Sequence, residues 1–570
     1  MKPERKLTKL TKRNKKAAAA VLGAAVGILV FLWVYGIAPL DVGNDGWILN
    51  GYDEWDVQQH YAGWLLFRNS HWRIPLGLAD TIAVPDGTVI SYTDSLPWIS
   101  IFLKAMRGIL PATFQWFGWY VLFCFALQGA AGALLSVRHT GLGAAVFGGA
   151  LFACLPTLWE RAFRHTALAS HWLYLFALYA YLEYRSALAV CRSEQARRQI
   201  PWEFALLSFL AVGIHPYFLP LVMICALLAA IDCFRSTRQG RTAVLVFGAP
   251  LVSALLGGLL CGALGSGVSA SREGYGVFSM NLNAVWNPTS RGGYTWSRIL
   301  PVQAQQGAQY DGFNYLGLGV LLLSLSALAL AVFLRHDTAG WWKRNGTLFA
   351  ACAFLTLFAV SNKISFDRWS VEIPLPQALV SLCGIFRSSG RMFYLVGACI
   401  LLFGIYQVSE AASYFGAHGI TGTAVLAVVL AIQIWDLSAV AAEKREGFAQ
   451  PVRSTVVNAP QTQALGTGHQ ALLAAGELRE DRLRLVAILA GKQGLSTNLA
   501  IAVSGSYPQA AALTDSAAEE LERGRYDPAT VYVTTDGGQF DRWQGIFAED
   551  PNVTIFVADS CYFLVPEGGG

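Results

Sequence analysis

The chain has 570 residues, of which 54% are hydrophobic and only 14% charged, with a formal net charge of +5. Because soluble proteins carry about a quarter charged residues, this composition excludes an ordinary water-soluble protein. The Lys and Arg residues cluster between apolar runs, which is a membrane-topology pattern and not a nucleic-acid-binding patch. We therefore expect membrane lipids around the chain and no nucleic acid as partner.

The amino-terminus combines a basic tail with a long apolar run. Residues 1–16 contain eight Lys or Arg residues, and the apolar run covers roughly residues 17–39. Signal peptides have a shorter apolar core and a small-residue cleavage site, which this run lacks. The pattern predicts a retained transmembrane helix that follows a cytoplasmic tail.

Further apolar runs continue to residue 439. Because about 20 apolar residues cross a bilayer, they predict spans at roughly 113–136, 141–158, 166–184, 203–214, 217–234, 241–264, 314–335, 346–361, 391–412 and 420–438. We predict a mainly α, polytopic transmembrane helical bundle of about ten or eleven helices over residues 17–439.

The stretch 203–234 decides the topology. Basic connectors at 185–198, 235–241 and 335–344 agree with a cytoplasmic amino-terminus only if 203–234 crosses twice. Proline disfavours helix at the preceding residue, so a hairpin of two short helices that breaks at His215-Pro216 is the simplest solution. A single kinked helix is the alternative, and it would move everything downstream to the other side.

The favoured topology places about 40–112, 265–313 and 362–390 outside. Residues 440–570 have soluble composition, with helix-like stretches such as Ala474–Arg484 and β-rich runs at Thr530–Thr534, Val553–Val557 and Tyr562–Val565. We expect a small external α/β domain there.

The first external loop concentrates acidic and aromatic residues. It holds eight acidic residues against four basic ones. Apolar positions from 57 to 67 have helical spacing, which predicts an amphipathic helix on the membrane surface. Asp56 would lie in its first turn, either as an N-terminal cap or as a general base, since an ionised carboxylate can accept a proton at neutral pH.

Asp94 is the second acid of interest in this loop. It either caps a helix at roughly 97–110 or orients substrate or a divalent cation. Two loop carboxylates do not specify a metal, and the ten cysteines have no metal-ligand spacing. The identity of any metal therefore stays open.

Basic and imidazole side chains flank two other predicted spans. Arg164, His165 and His171 precede or open the fourth span, where they would bind phosphate or anchor the helix at the interface. His215 would either have a functional role at membrane depth or satisfy backbone groups that Pro216 frees.

Two later segments add candidate substrate ligands. Arg387 and Arg391 bracket Ser388-Ser389-Gly390 before a helix start, an arrangement that suits a lipid phosphate. A topology anchor is the alternative role of this pair. Asp311 and Tyr315 open another span, and Asp311 would either cap the helix or contact an acceptor.

Several motifs resemble a known family. They read Asp56-Val-Gln-Gln-His60-Tyr-Ala-Gly-Trp64 with Phe67-Arg68, Trp72-Arg-Ile-Pro75-Leu-Gly77, Tyr92-Thr-Asp94-Ser-Leu-Pro97, Arg164-His165 to His171-Trp172, His215-Pro-Tyr217-Phe218, Tyr310-Asp311 to Tyr315, and Phe386-Arg387 to Arg391-Met-Phe. Over roughly residues 40–410 the chain resembles the GT-C superfamily of integral-membrane glycosyltransferases, and more narrowly a bacterial membrane-protein family, domain of unknown function 6311.

The resemblance implies a polyprenyl-phosphate sugar donor, transfer on the external face, and a catalytic acid in the first external loop. Asp56 matches that acid by position, while Asp53 and Glu54 compete for the role. It further implies that the polar residues of the shared motifs, including His60, Arg68 and Tyr217, contact substrate.

The expected protein is a glycosyltransferase of the bacterial inner membrane. It would carry its carboxy-terminal domain in the periplasm and transfer sugar to a cell-envelope glycan or lipid. A polysaccharide polymerase or ligase and a lipid-linked glycan flippase are the alternatives. The ionisable residues gather at helix ends and we find no internal repeat, which favours an enzyme over a transporter.

Overall fold

A computed structural model describes residues 2–53, 56–189, 193–265, 274–333, 338–414, 419–502 and 505–567. Glu54, one of the predicted catalytic candidates, lies outside these residues. The part up to residue 447 is mainly helical. Its helices are α1 Lys2–Tyr35, α2 Gly46–Leu49, α3 Asp56–Asn69, α4 Pro97–Ala105, α5 Phe117–Ser136, α6 Leu142–Ala153, α7 Pro156–Arg161, α8 Trp172–Ala189, α9 Ser193–Ile214, α10 Phe218–Thr237, α11 Gly240–Cys261, α12 Leu318–Phe333, α13 Thr338–Val360, α14 Gln377–Cys383, α15 Tyr394–Tyr414, α16 Gly419–Asp436 and α17 Ser438–Gly447.

Several helices could span a membrane, as a multi-pass membrane protein requires. By length and composition, five of the described helices qualify: Arg13–Tyr35, Phe117–Ser136, Phe218–Thr237, Gly240–Cys261 and Ser389–Tyr414. The bent pair Ile420–Asp436 and Ser438–Gly447, with an angle of 50°, raises the number to six.

This number is smaller than the ten or eleven spans that the sequence predicts. Helices do occupy the other predicted segments, but α6 has 12 residues and α12 has 16. A helix of about 20 residues is needed to cross the hydrocarbon core, so these two do not reach the length of a full span.

The predicted break at His215-Pro216 coincides with a helix boundary. Helix α9 ends at Ile214 and α10 begins at Phe218. The Tyr217 backbone N–H donates to Nδ1 of His215 over 3.3 Å, so the histidine satisfies one backbone group at the break. Nε2 of the same ring lies 3.7 Å from Oδ1 of Asp94 in the first loop.

The carboxy-terminal residues form a small α/β domain. Two short hairpins precede this domain in the chain, β1 Leu78–Ala79 with β2 Thr88–Val89 and β3 Lys363–Phe366 with β4 Trp369–Glu372. The elements of the domain itself are β5 Ala471–Ala474, α18 Glu480–Gln493, α19 Pro508–Glu522, β6 Thr530–Thr534, α20 Gly537–Ile546, β7 Val553–Ala558 and β8 Cys561–Pro566. The sheet order is β5-β6-β8-β7, with β5 and β6 parallel and the other pairs antiparallel. The predicted helix-like stretch Ala474–Arg484 is partly wrong, because Ala474 ends a strand and the helix begins only at Glu480.

This domain docks on the first loop. The Thr497 N–H donates to the Thr81 carbonyl over 3.0 Å, and the Thr497 carbonyl accepts from the Val84 N–H over 3.0 Å. The Asn69 amide donates to the Gly491 carbonyl over 2.7 Å. These contacts place α18 against α3.

The docking corrects one prediction about the first loop. Helix α3 forms where the sequence predicts a helix, but Val57 to Arg68 are all buried, so it does not lie on a membrane surface. Its apolar residues pack against α18 on one side and against the segment that leads into α4 on another. Asp56 opens this buried helix.

Substitution of Gly491 tests how closely the domain docks. A Cβ atom at Gly491 would approach the Leu65 Cβ to 2.6 Å and the Leu66 backbone nitrogen to 3.1 Å. Gly491→Leu is therefore expected to destabilise the docked state by about 1–3 kcal/mol, through overpacking. Hydrogen–deuterium exchange of α3 should accelerate. Gly545→Leu in α20, where an added Cβ meets nothing within 4 Å, is the matched control and should leave α3 exchange unchanged.

Candidate active site

Polar side chains from separate helix ends meet beside α3. They come from the start of α3, the loop before α4, the turn after α7, the break between α9 and α10, the turn before α12, and the turn before α15. We call this group the polar chamber and define it as Asp56, His60, Asp94, Arg161, His165, His215, Asp311, Arg387 and Arg391.

Asp56 lies at the first turn of α3, one helical turn before His60. Its side chain is half-buried, and the hydrogen bonds and ion pairs among the described residues do not include its carboxylate. Burial raises the pKa of Asp56, while Arg484 of the carboxy-terminal domain and Arg164 oppose the rise. The carboxylate is thus a stronger base than that of an exposed aspartate. It makes no capping hydrogen bond among the described residues.

The backbone around Asp94 adopts an unusual conformation. Asp94 has a φ of 56° and Leu96 one of 49°, both left-handed values that bulky L residues rarely adopt. The Ser95 hydroxyl donates to the His60 carbonyl over 2.7 Å and lies 2.8 Å from the Thr93 hydroxyl. The hydroxyls on either side of Asp94 therefore hold the loop against α3.

Asp94 does not cap α4, because Leu96 is the capping position and no side chain caps that helix. Its carboxylate instead faces histidines. Nδ1 of His165 lies 3.9 Å from Asp94 Oδ2, and Nε2 of His215 lies 3.7 Å from Asp94 Oδ1. The His60 ring stacks against the His165 ring with a centroid distance of 5.7 Å.

Burial favours the neutral form of the histidines and raises the proton affinity of Asp94. Burial lowers the pKa of His60 to about 3. Burial also lowers the pKa of His165 well below its ordinary value, and the charge of Arg391 adds to that effect. Burial raises the pKa of Asp94 to about 7, with Arg391 opposing and Asp56 adding to the rise. Asp56 and Asp94 share the polar chamber through His60, which lies one turn after Asp56 in α3 and has a ring nitrogen within 4.8 Å of an Asp94 oxygen.

Asp311, Arg161 and Arg391 form an ion triad within the polar chamber. Asp311 accepts two parallel hydrogen bonds from Arg391, each 3.0 Å long, and contacts Arg161 at 2.8 Å. Arg161 also donates to the Asp311 carbonyl and to the Tyr394 hydroxyl. Burial alone would raise the pKa of Asp311, but the two guanidiniums hold it far below its ordinary value. Asp311 is therefore an ionised structural anchor.

The two arginines before α15 differ in how they are held. The Arg391 guanidinium lies 4.6 Å from the centre of the Tyr217 ring and is fixed by Asp311. The Tyr217 hydroxyl accepts from the Ser388 N–H over 2.9 Å. Arg387 lies against the Phe278 ring at 5.6 Å, and no ion pair links it to a carboxylate among the described residues. Arg387 is the arginine that remains available for an anion.

A second buried charge network is centred on Asp53. Lys444 contacts Asp53 at 2.8 Å, and Arg164 contacts Asp53 at 3.5 Å and also pairs with Glu160. Burial alone would raise the pKa of Asp53, but Lys444 and Arg164 lower it. The sequence pattern does not select Lys444, because its carboxylate partner Asp53 is 391 residues away. Glu160 and Arg164 are spaced at i and i+4, which is a usable signal for their ion pair. Arg164, which the sequence predicts as a substrate residue, belongs to this network and not to the polar chamber.

Three more predicted substrate residues make structural contacts outside the chamber. Arg68 donates to the Pro111 and Leu110 carbonyls over 2.8 Å and 3.0 Å. The Tyr315 hydroxyl donates to Asp436 over 2.6 Å. His171 is buried against the rings of Tyr394, Tyr174 and Phe218.

Gly63 controls the distance between α3 and the Asp94 loop. A Cβ atom at this position would come to 2.3 Å from the Thr93 hydroxyl and 2.5 Å from the Ser95 hydroxyl. We expect Gly63→Ala to push the loop outward and to lower the free energy of unfolding by about 1–3 kcal/mol.

Denaturation of the purified variant measures this effect. Gly248→Ala in α11 is the control, because an added Cβ there meets nothing within 4 Å and helix propensity alone should stabilise it by up to about 1 kcal/mol. Equal stability of the two variants would contradict the close approach.

Comparison with known proteins assigns most of the helical part to one family. The family model described as Domain of unknown function (DUF6311) matches residues 24–438, and the model of the DUF6311 C-terminal domain matches residues 461–566. No curated protein matches the chain. Because the first model alone covers well over half of the residues, the chain belongs to the DUF6311 family.

Proposed function

We propose that the protein is a membrane glycosyltransferase of the GT-C type, which transfers a sugar from a polyprenyl-phosphate donor to a cell-envelope glycan or lipid. The observation that carries the proposal is the grouping of Asp56 and Asp94 in one chamber at helix ends. Asp56 lies one helical turn before His60, and a ring nitrogen of His60 lies within 4.8 Å of an Asp94 carboxylate oxygen. Arg387 adds a guanidinium that forms no ion pair among the described residues. A base and an anion site are the two groups that displacement of a lipid phosphate requires.

Asp56 is the general base in this proposal. It accepts the proton of an acceptor hydroxyl as the oxygen attacks the anomeric carbon of the donor. The new carbon–oxygen bond forms as the bond to the phosphate oxygen breaks, and polyprenyl phosphate leaves with the electron pair. Burial strengthens Asp56 as a base, because it raises the pKa of the carboxylate. Asp94 faces the same space and orients the reacting groups.

Arg387 stabilises the leaving phosphate. Its guanidinium can donate two hydrogen bonds to phosphate oxygens, and its charge opposes the rise in the pKa of Asp94. Arg391 is a positioning residue in this scheme, since Asp311 already occupies its donor fork. The neutral imidazoles of His60 and His165 add no competing positive charge.

The surroundings suit a lipid donor. The chamber lies where α9 ends and α10 and α15 begin, and two of these three helices, α10 and α15, qualify as membrane spans. A phosphate held there would leave its polyprenyl chain in the bilayer. The carboxy-terminal domain packs on α3 through α18, and the charge of Arg484 in α18 opposes the rise in the pKa of Asp56. In the proposed topology of a bacterial inner-membrane enzyme, this face is periplasmic and the domain limits access of water and acceptor.

Product masses test the proposal. The purified protein in detergent micelles is given a panel of polyprenyl-phosphate monosaccharides, together with envelope glycans and lipids as acceptors. The proposal predicts that one donor is consumed and that the acceptor mass rises by one sugar. Growth by whole repeat units would instead identify a polymerase or ligase. Turnover of nucleotide sugars alone would contradict the lipid donor.

A further inference from the structure

We propose that His60, Asp94 and His165 bind one divalent transition-metal cation of the Zn²⁺ or Mn²⁺ class. One side-chain ligand atom from each residue lies within 4.8 Å of the others. The three residues come from α3, the loop before α4 and the turn after α7, so the fold brings together ligands that are up to 105 residues apart. This binding does not depend on the proposed transfer reaction.

The distances are close to those of a bound ion. Bonds of about 2.0–2.2 Å from a tetrahedral cation place two ligand atoms about 3.4 Å apart. Nδ1 of His165 and Oδ2 of Asp94 are separated by 3.9 Å. The separation of this pair exceeds the distance between two coordinated atoms by about 0.5 Å, and all three ligand atoms lie within 4.8 Å of one another.

Unpartnered nitrogen atoms point to a ligand in this space. Both ring nitrogens of His60 and Nδ1 of His165 are fully buried and have no hydrogen-bond partner among the described residues. Buried polar atoms without a partner are rare in folded proteins, because each costs about 1–3 kcal/mol. A cation that accepts the nitrogen lone pairs removes this cost.

His215 supports the site from outside. Its Nδ1 accepts the Tyr217 N–H, so in the neutral ring the proton lies on Nε2, which faces Asp94 Oδ1 at 3.7 Å. A donor that orients a ligating carboxylate in this way is typical of the residues behind metal ligands. The geometry therefore separates three ligands from one positioning histidine.

The ligand set restricts the ion. Two imidazoles and one carboxylate suit Zn²⁺, Mn²⁺ or Fe²⁺, whereas Mg²⁺ and Ca²⁺ prefer oxygen ligands only. The polar chamber holds three carboxylates, Asp56, Asp94 and Asp311, against three guanidiniums, Arg161, Arg387 and Arg391. Because Asp311 already pairs with Arg161 and Arg391, no excess of positive charge repels a cation. Three protein ligands also leave a coordination position for a further group. An oxygen of the donor phosphate would fill it, and this role alone rests on the proposed function.

Direct binding measurements test the site without any activity assay. The full chain is purified without a polyhistidine tag and stripped with EDTA. It is then titrated with Zn²⁺ by calorimetry, and the bound metal is counted by mass spectrometry. The wild-type protein should bind one ion per chain. His60→Gln, His165→Gln and Asp94→Asn should each weaken binding by about 100-fold or more, because loss of a direct ligand costs at least as much as loss of its supporting group.

Two control variants locate the ion. His171→Gln removes an equally buried histidine whose ring nitrogens also have no partner among the described residues, but which lies outside the cluster. His71→Gln removes an exposed histidine that pairs with Asp80 at the surface. Both should bind Zn²⁺ like the wild-type protein. Loss of binding in His71→Gln alone would place the ion at the surface and overturn the proposal.

A spectroscopic measurement on the wild-type protein covers the case in which a ligand variant does not fold. Cu²⁺ added to the stripped protein should give an electron paramagnetic resonance spectrum with couplings to two imidazole nitrogens. Zn²⁺ added first should abolish that signal. Absence of nitrogen couplings, or no ion retained by a folded wild-type protein, would overturn the proposed site.

Discussion

Asp56→Asn is expected to lower the rate of sugar transfer by about 10²- to 10⁴-fold, the range that a positioned general base contributes. The amide keeps the size of the side chain but has no basic oxygen. Because Asp56 makes no hydrogen bond or ion pair among the described residues, its replacement should leave the fold and the donor affinity nearly unchanged. The effect should therefore appear in kcat and not in KM.

Asp41→Asn is the matched control for this experiment. Asp41 lies in the same loop and is exposed, where its carboxylate accepts the Gly43 N–H over 2.9 Å. The control should retain the wild-type rate. Release of polyprenyl phosphate is the readout, and melting of each variant in detergent confirms folding. An unchanged rate in Asp56→Asn would remove Asp56 as the base and leave Asp94 as the carboxylate to test in the chamber.

Asp311→Asn is expected to destabilise the protein by about 3–5 kcal/mol, because it leaves two buried guanidiniums without their shared carboxylate. Arg161 and Arg391 both depend on Asp311, and all three side chains are less than a tenth exposed. Arg391 would also lose its fixed position over Tyr217, so donor turnover should fall together with stability. Chemical denaturation of the purified variant measures the first effect.

Glu522→Gln is the control, because it also replaces a carboxylate that pairs with arginine by the matching amide. Its carboxylate pairs with Arg542 at 3.2 Å, and both side chains are about half exposed. An exposed pair of this kind is worth about 0–1 kcal/mol. A loss in Asp311→Asn no larger than that of Glu522→Gln would mean that the triad is not the buried network described.

The sequence predicts the positions of helices better than the number of membrane spans. The sequence marks the break at His215-Pro216 through its proline, and it marks the strands β6, β7 and β8 through their local composition. It does not mark β5 Ala471–Ala474. Run length does not show whether an element is a full span, as in α6 with 12 residues. Helix α3 is an instructive case, since its pattern suits a membrane surface as well as burial under a distant domain.

The candidate site depends on long-range contacts, and these limit what sequence reasoning can assign. Asp56, Asp94, His165 and His215 can all be selected as polar residues near predicted helix ends. Their grouping around one carboxylate cannot be predicted without the fold. Arg391 is suited to phosphate by its sequence context, yet Asp311, 80 residues earlier, already binds its donor fork. Lys444 has no local signal, because its partner Asp53 is 391 residues away.

The fate of a doubly labelled donor tests whether the protein transfers the sugar or transports the intact donor. A polyprenyl-phosphate sugar that carries ¹⁴C in the sugar and ³²P in the phosphate is incubated with the wild-type protein and acceptor in micelles, where no second compartment exists. The account predicts that the two labels separate, with ³²P in free polyprenyl phosphate and ¹⁴C in the acceptor. If the labels stay together for every donor tested while the same folded protein moves lipid-linked sugar across vesicles, the protein is a transporter and the account is wrong.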